Sequence, residues 1–163
     1  KVIMALLQPR EGKITLYDGA RSVESCADTR CNFMYVPQGN SLLSGTIREN
    51  LLWARHDATE DEMRQALHCA VADFVYDLPD GLDTLCGEVG SGLSEGQAQR
   101  IAIARALLHQ GSILIMDEAS SALDEETERT ILHRLKEDET KRTIIWVTHH
   151  ANVAKAMDNL VTL

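Results

Sequence analysis

Apolar residues along the chain alternate between the two-residue period of a strand and the longer period of a helix. Short strands are predicted at residues 14–17, 33–36 and 160–163. An uninterrupted apolar run at 113–116, and a similar one that follows Thr143 in the segment 143–147, are typical of strands that are covered on both faces, as in a parallel sheet.

Three predicted helices begin with a capping box, in which a Ser or Thr side chain and a Glu or Gln three residues later satisfy unpaired backbone amides. The second helix is predicted to continue through Phe74 to the turn at 79–81. Further helices are predicted from about residue 125 and at 151–157. The capping pairs are Thr46 with Glu49, Thr59 with Glu62, and Ser94 with Gln97.

The order strand, helix, strand, helix, strand in the last third of the chain predicts an α/β fold with right-handed crossovers. Residues 41–110 are predicted to be mostly helical and to form an inserted subdomain.

The chain is acidic, with 16 Lys and Arg against 25 Asp and Glu and a net charge of −9 over 163 residues. Because nucleic acids are bound by clustered Lys and Arg, no nucleic-acid partner is expected. A local anion site built from backbone amides remains compatible with this charge. No apolar run approaches the roughly 20 residues of a membrane-spanning helix, and no signal peptide is expected.

The four cysteines, at positions 26, 31, 69 and 86, lack the CxxC spacing of a zinc site. Free thiols in a reducing compartment are favoured over a disulfide between Cys26 and Cys31.

Asp117 and Glu118 directly follow the buried run 113–116. In open α/β sheets, ligands bind at the carboxyl ends of the strands. One carboxylate there can hold Mg²⁺ through water, and its neighbour can orient or deprotonate an attacking water. A solvated acidic pair after a core strand explains the same residues equally well.

Ser94 begins a helix whose first amides face outward, and Gly96 lets an anion approach the backbone closely. Taken alone, these residues favour a plain helix cap over an anion site.

Seven segments together resemble the motifs of ATP-binding-cassette (ABC) ATPases, in the family's order and over nearly the whole chain. Each is modest alone, but the set is specific. They are YVPQ at 35–38 (Q-loop), SGTIREN at 44–50 (the stretch after the Q-loop in exporter-type members), GEVG at 87–90 (X-loop), LSEGQ at 93–97 with Gln99-Arg100 (signature), Asp117-Glu118 (Walker B and catalytic glutamate), SALD at 121–124 (D-loop) and VTH at 147–149 (switch histidine).

The resemblance implies a P-loop NTPase-like parallel-sheet core, incomplete here, with an inserted, mostly helical signature subdomain. Residues 1–38 and 111–163 would form the α/β core, and residues 39–110 the signature subdomain.

The resemblance also implies ATP and Mg²⁺ as cofactors. Asp117 would hold Mg²⁺, and Glu118 would act as general base or position the attacking water. Gln38 would sense Mg²⁺ and that water and connect to a transmembrane partner. His149 would contact the γ-phosphate.

Since the family hydrolyses ATP between two head-to-tail domains, Ser94, Gly96 and Gln97 would bind the γ-phosphate held by a second nucleotide-binding domain. Glu95 replaces a usual glycine; its backbone amide remains in this binding segment, but its carboxylate is expected to weaken binding modestly.

The D-loop, with Ser121 and Asp124, would cross the dimer interface.

Without the resemblance, His149 is interpreted as a strand-end histidine and Gln38 as a turn residue. His150 is predicted to be a solvated neighbour, and His68 to pack on its helix.

The motif GxxxxGK[ST] occurs nowhere in the sequence, and Gly12-Lys13 is followed by Ile14. By resemblance, residues 1–9 would be the end of the helix that follows such a P-loop. Because P-loop amides and lysine neutralise the β- and γ-phosphates, these 163 residues alone are expected neither to bind ATP tightly nor to hydrolyse it.

The favoured interpretation is the ATP-hydrolysing domain of an exporter-type ABC transporter, located on the cytoplasmic face of a membrane and paired with transmembrane domains. The alternatives are a non-catalytic dimerisation or regulatory module and a soluble ABC-type ATPase. The stretch 44–50 favours the transporter, and Glu118 with His149 argues against a degenerate parent.

Overall fold

The computed structural model describes residues 1–39, 41–86, 92–138, 140 and 142–162. Its α-helices are α1 (Ile47–Leu52), α2 (Glu60–Cys69), α3 (Glu95–Leu108), α4 (Glu125–Glu137) and α5 (Ala151–Ala156). Short 3₁₀ turns lie at Asp28–Asn32, Asp73–Asp77 and Gly81–Asp83. Its strands are β1 (Thr15–Asp18), β2 (Arg21–Glu24), β3 (Phe33–Val36), β4 (Gly45–Thr46), β5 (Leu85–Cys86), β6 (Ile113–Asp117) and β7 (Thr143–Val147).

The central sheet has the order β3-β6-β7, and all its strands are parallel. Tyr35 lies opposite Ile115, which in turn lies opposite Ile145. Leu114 and Met116 are fully buried, and Ile115 on the other face is 6% exposed. The predicted α/β class with a parallel sheet is therefore confirmed. The central strand β6 is buried on both faces, as predicted for 113–116. β7 is only partly buried and is exposed at Thr143 and Val147, so the prediction that 143–147 is covered on both faces is wrong.

All three predicted capping boxes are present at the starts of α1, α2 and α3. α3 is apolar around most of its circumference and packs against α1, α2 and β3, with Ile101 and Ile103 completely buried. Since its sides are enclosed, the exposed end of α3 is its first turn, at Ser94 and Glu95.

Residues 2–5 form a turn and residues 6–7 a bend, so the prediction that residues 1–9 are the end of a helix is wrong. Ala5 adopts a left-handed backbone conformation (φ +50°), which a continuing right-handed helix cannot contain. The Arg30 guanidinium donates hydrogen bonds to the carbonyls of Met4 and Ala5, at 3.2 and 2.6 Å. These long-range bonds hold the turn against the segment that carries Arg30.

The second helix ends at Cys69, and the predicted extension to Phe74 is wrong. Val71 has φ +56°, and the chain resumes as the turn Asp73–Asp77, which keeps Phe74 partly buried on the same side. Periodicity alone does not detect such a break.

The predicted strand at 160–163 is not formed at 160–162, and residue 163 lies outside the described residues. Conversely, β2 pairs with β1 in an antiparallel hairpin that the sequence did not predict. All four β2 residues are exposed, so no hydrophobic alternation marks the strand. The division into 1–38, 39–110 and 111–163 stays a prediction.

Candidate functional site

Three polar side chains meet at the carboxyl edge of the central sheet. Gln38 follows β3, Glu118 follows β6 and His149 follows β7. Gln38 Nε2 donates to Glu118 Oε2 at 2.8 Å, and His149 Nε2 lies 2.8 Å from Glu118 Oε1. Because the strands are parallel and adjacent, their ends bring residues 80 and 31 positions apart onto one carboxylate. We call these three residues, with Asp117, the edge cluster.

Glu118 has a left-handed backbone conformation (φ +49°), which is uncommon for a residue with a side chain. Its N–H donates to the Val147 carbonyl at 3.0 Å, so pairing with the neighbouring strand holds it in place. Strained backbone of this kind is concentrated at functional sites.

Asp117 accepts a hydrogen bond at Oδ2 from the Tyr35 hydroxyl, at 2.9 Å. Burial, and then this bond, raise the pKa of Tyr35 above its ordinary value, so that the hydroxyl remains a donor at neutral pH. No role for Tyr35 was predicted from the sequence. The register between β3 and β6 would have indicated this contact. Tyr35 lies opposite Ile115, and Asp117, two residues further along β6, is on the same face of the sheet as Ile115.

The first turn of α3 forms a second polar group. The Ser94 hydroxyl accepts from the Gln97 amide at 3.2 Å, and Gln97 Oε1 accepts from the Ser94 amide at 2.8 Å. The next amides, of Glu95 and Gly96, belong to the first helical turn and have no partner within the helix. Ser94 and Glu95 are exposed, which leaves these amides within reach of a ligand.

Gly96 lets α3 approach the segment 122–124. A Cβ added at Gly96 would lie 2.8 Å from the Ala122 carbonyl oxygen. The completely buried Gln99 accepts at Oε1 from the Ala122 amide at 3.2 Å. Residues of both segments border a cleft of about 410 Å³. These contacts fix the first turn of α3 relative to the segment that follows Glu118.

Asp124 caps α4, accepting from the Thr127 amide at 2.9 Å and the Thr127 hydroxyl at 2.8 Å. These bonds lower the pKa of Asp124, and the bond from the Thr127 amide has the larger effect. The exposed Ser121 donates its N–H to the Glu118 carbonyl at 3.1 Å, which ties this segment to the edge cluster.

His150 was predicted to be a solvated neighbour, but its ring contacts a buried carboxylate. Its Nδ1 lies 3.1 and 3.0 Å from the two carboxyl oxygens of Glu128, a residue only 1% exposed. His68 does not pack either: its side chain is 57% exposed and its Nδ1 lies 2.9 Å from Asp73 Oδ1. Both contacts join different elements, so local sequence does not reveal them.

The family described as ABC transporter matches residues 1–121. The chain belongs to the ABC transporter family. An ATP-dependent lipid A-core flippase of Ralstonia nicotianae is 40% identical over 160 residues, 96% of this chain and 27% of that protein. An ATP-dependent permease of Candida albicans is 37% identical over 165 residues, 99% of this chain and 24% of that protein.

A bacterial Atm1-family ABC exporter, solved with ATP bound, has a TM-score of 0.81 and 36% identity to this chain. The match covers 93% of this chain and 27% of the exporter. The chain thus corresponds to the ATP-binding domain of exporter-type ABC transporters and spans about a quarter of the length of these relatives. None of the helices described here has the length and apolar character needed to cross a membrane.

The motif positions of the ABC family fall into two groups in the structure. The residues that resemble the Q-loop, Walker B and switch motifs (Gln38, Asp117 with Glu118, and His149) form the edge cluster. The residues that resemble the signature motif, 94–97, lie against 122–124, which resemble the D-loop. Within the described part of the chain, no hydrogen bond joins the signature residues to the edge cluster. The predicted X-loop at 87–90 lies outside the described residues.

The edge cluster fits Mg²⁺ bound in part by water and phosphate. Asp117 Oδ2 is held by Tyr35, whereas Oδ1 has no partner among the residues described. No group of three or more His, Cys, Asp or Glu converges as a metal site in that same part of the chain. Since Mg²⁺ is commonly held by one or two carboxylates with waters and phosphate oxygens, one free carboxylate oxygen suffices.

Proposed function

We propose that the chain supplies half of a composite ATP-hydrolysis site. The observation that carries this proposal is the contact of Gln38 and His149 with the two carboxyl oxygens of Glu118. Three motifs distant in sequence thereby share one carboxylate at a sheet edge where ligands bind.

In this proposal, Glu118 orients the attacking water and accepts its proton. Gln38 and His149 hold the carboxylate in place beforehand, which reduces reorganisation during the reaction. His149 also reaches the γ-phosphate. Asp117, oriented by Tyr35, holds Mg²⁺, which neutralises phosphate charge when bound.

Ser94, Gly96 and Gln97 act on ATP held by a second nucleotide-binding domain, with Glu95 contributing its backbone amide. The uncapped amides and the positive end of α3 favour the γ-phosphate. Ser121 and Asp124 lie beside this surface and would contact the second domain.

At the level of the whole transporter, we propose that ATP hydrolysis at the cytoplasmic face of a membrane drives export through transmembrane domains. The sequence lacks a P-loop, so the 163 residues alone would neither bind Mg-ATP tightly nor hydrolyse it. Isothermal calorimetry with Mg-ATP tests this point, and micromolar affinity would contradict it.

The proposed activity is tested in a longer polypeptide that joins this sequence to a P-loop segment. Glu118→Gln removes the base but keeps the shape, and should lower kcat by about 100-fold or more. Glu125→Gln, an exposed change in the first turn of α4, is the matched control and should leave kcat unchanged. Full activity of Glu118→Gln would refute the role of Glu118.

A further inference from the structure

A buried carboxyl group joins the two segments that flank the edge cluster. Glu128, in the first turn of α4, is 1% exposed. It accepts a hydrogen bond from the hydroxyl of Ser120, which is also 1% exposed. Its other contact is His150 Nδ1, within 3.1 Å of both carboxyl oxygens.

The partners of Glu128 are immediate neighbours of functional motifs. Ser120 lies between Glu118 and the D-loop residues 121–124, and His150 follows His149 directly. One side chain therefore fixes the start of the D-loop and the end of the switch strand relative to each other.

Packing alone does not account for this choice of residue. A buried carboxyl group is costly unless its hydrogen bonds are satisfied, and an apolar side chain of similar size often serves packing as well or better. Here Ser120 and His150, on two different segments, satisfy both oxygens. A further bond, from the His150 amide to the Thr148 hydroxyl at 2.9 Å, steadies the turn that carries both histidines.

We propose that Glu128 is a positioning residue, which holds His149 against Glu118 and couples that contact to the D-loop. This inference rests on the proposed roles of Glu118 and His149. A displacement of about 1 Å in a catalytic group can slow a reaction 100-fold, so loss of the Glu128 contacts should affect turnover more than nucleotide affinity.

The test uses the P-loop-bearing polypeptide for kinetics and the 163-residue chain for NMR. Glu128→Gln weakens the contact to His150, and His150→Ala removes it. His150→Asn restores an amide donor near the position of Nδ1. Glu126→Gln, an exposed change on the same helix, is the charge-matched control.

We expect Glu128→Gln and His150→Ala to lower kcat about tenfold or more, with KM for ATP within about twofold of wild type. His150→Asn should recover most of kcat, and Glu126→Gln should match wild type. In the 163-residue chain, the side-chain ¹⁵N signals of His149 should shift in Glu128→Gln and His150→Ala in the same direction as in Glu118→Gln, which removes the charge that His149 contacts.

Wild-type kcat and unchanged His149 signals in folded Glu128→Gln would overturn the inference. Should Glu128→Gln not fold, the pair His150→Ala and His150→Asn decides: equal kcat in both variants would overturn it. Full activity of Glu118→Gln would instead refute the proposed function. The His149 signals would then still report whether Glu128 positions that ring.

Discussion

Replacing Gly96 with Ala has two opposite effects on stability: a gain from the higher helix propensity of Ala and a loss from a steric clash. Within a helix, Ala is favoured over Gly by about 1 kcal/mol, so propensity alone predicts a more stable protein. The new Cβ, however, would lie 2.8 Å from the Ala122 carbonyl oxygen, and it would also meet Leu123 Cδ2 at 3.6 Å.

The carbonyl cannot move freely, because the Ala122 amide is bonded to buried Gln99 and the Leu123 amide to the Ser120 carbonyl. Overpacking of this kind costs about 1–3 kcal/mol. The clash therefore outweighs propensity, and we expect Gly96→Ala to lower the free energy of unfolding by about 1 kcal/mol.

Urea unfolding, followed by far-UV circular dichroism, measures this difference from the midpoint and slope. Gly111→Ala is the matched control, since its Cβ would lie 2.7 Å from the Asn32 carbonyl oxygen, in a different part of the chain. Both variants should be destabilised, but in the P-loop-bearing polypeptide only Gly96→Ala should also lower ATPase activity. A gain of about 1 kcal/mol in Gly96→Ala, as propensity predicts, would refute the steric argument.

Three further substitutions test the site and the fold. Tyr35→Phe removes the donor to Asp117 and should raise the Mg²⁺ concentration for half-maximal ATPase activity about tenfold, since outer partners orient metal ligands; an unchanged Mg²⁺ dependence would contradict this. Asn50→Ala removes a 1%-exposed side chain bonded to the Leu43 backbone and should cost about 3 kcal/mol in urea unfolding; a cost below about 0.5 kcal/mol would contradict it. Hydrogen bonds lower the pKa of Glu62 from 4.5 to about 2, and the bond from Arg55 has the largest effect. Stability from this carboxylate is therefore present above pH 4.5 and lost as the pH falls towards 2, so Glu62→Gln should make acid unfolding less steep in that window, and an unchanged profile would contradict this.

Local patterns predicted the elements that depend on local interactions. The capping pairs Thr46 with Glu49 and Ser94 with Gln97 form because each pair lies within a single helical turn. Strand β6 was predicted because burial on both faces requires a continuous apolar run, and β7 was predicted from a similar run although it is only partly buried. Family resemblance then grouped Gln38, Glu118 and His149 before any contact between them was known.

Contacts between distant segments could not be predicted in the same way. The turn at residues 2–5 is held by Arg30, which donates to the carbonyls of Met4 and Ala5 from 25 or more positions away. Tyr35 reaches Asp117 only because β3 and β6 pair in a particular register. Glu128 meets His150 only once α4 packs against α5, which His150 directly precedes. In each case the partner is set by tertiary structure, which the hydrophobic pattern of a single segment does not encode.

The central claim is that the edge cluster and a facing signature helix hold one terminal phosphate between them. A crystal structure of the P-loop-bearing polypeptide carrying Glu118→Gln, grown with Mg-ATP, tests this most directly. We expect the γ-phosphate within hydrogen-bonding distance of His149 in one copy and of Ser94 and the Gly96 amide in the other. A γ-phosphate bound away from both groups would contradict it.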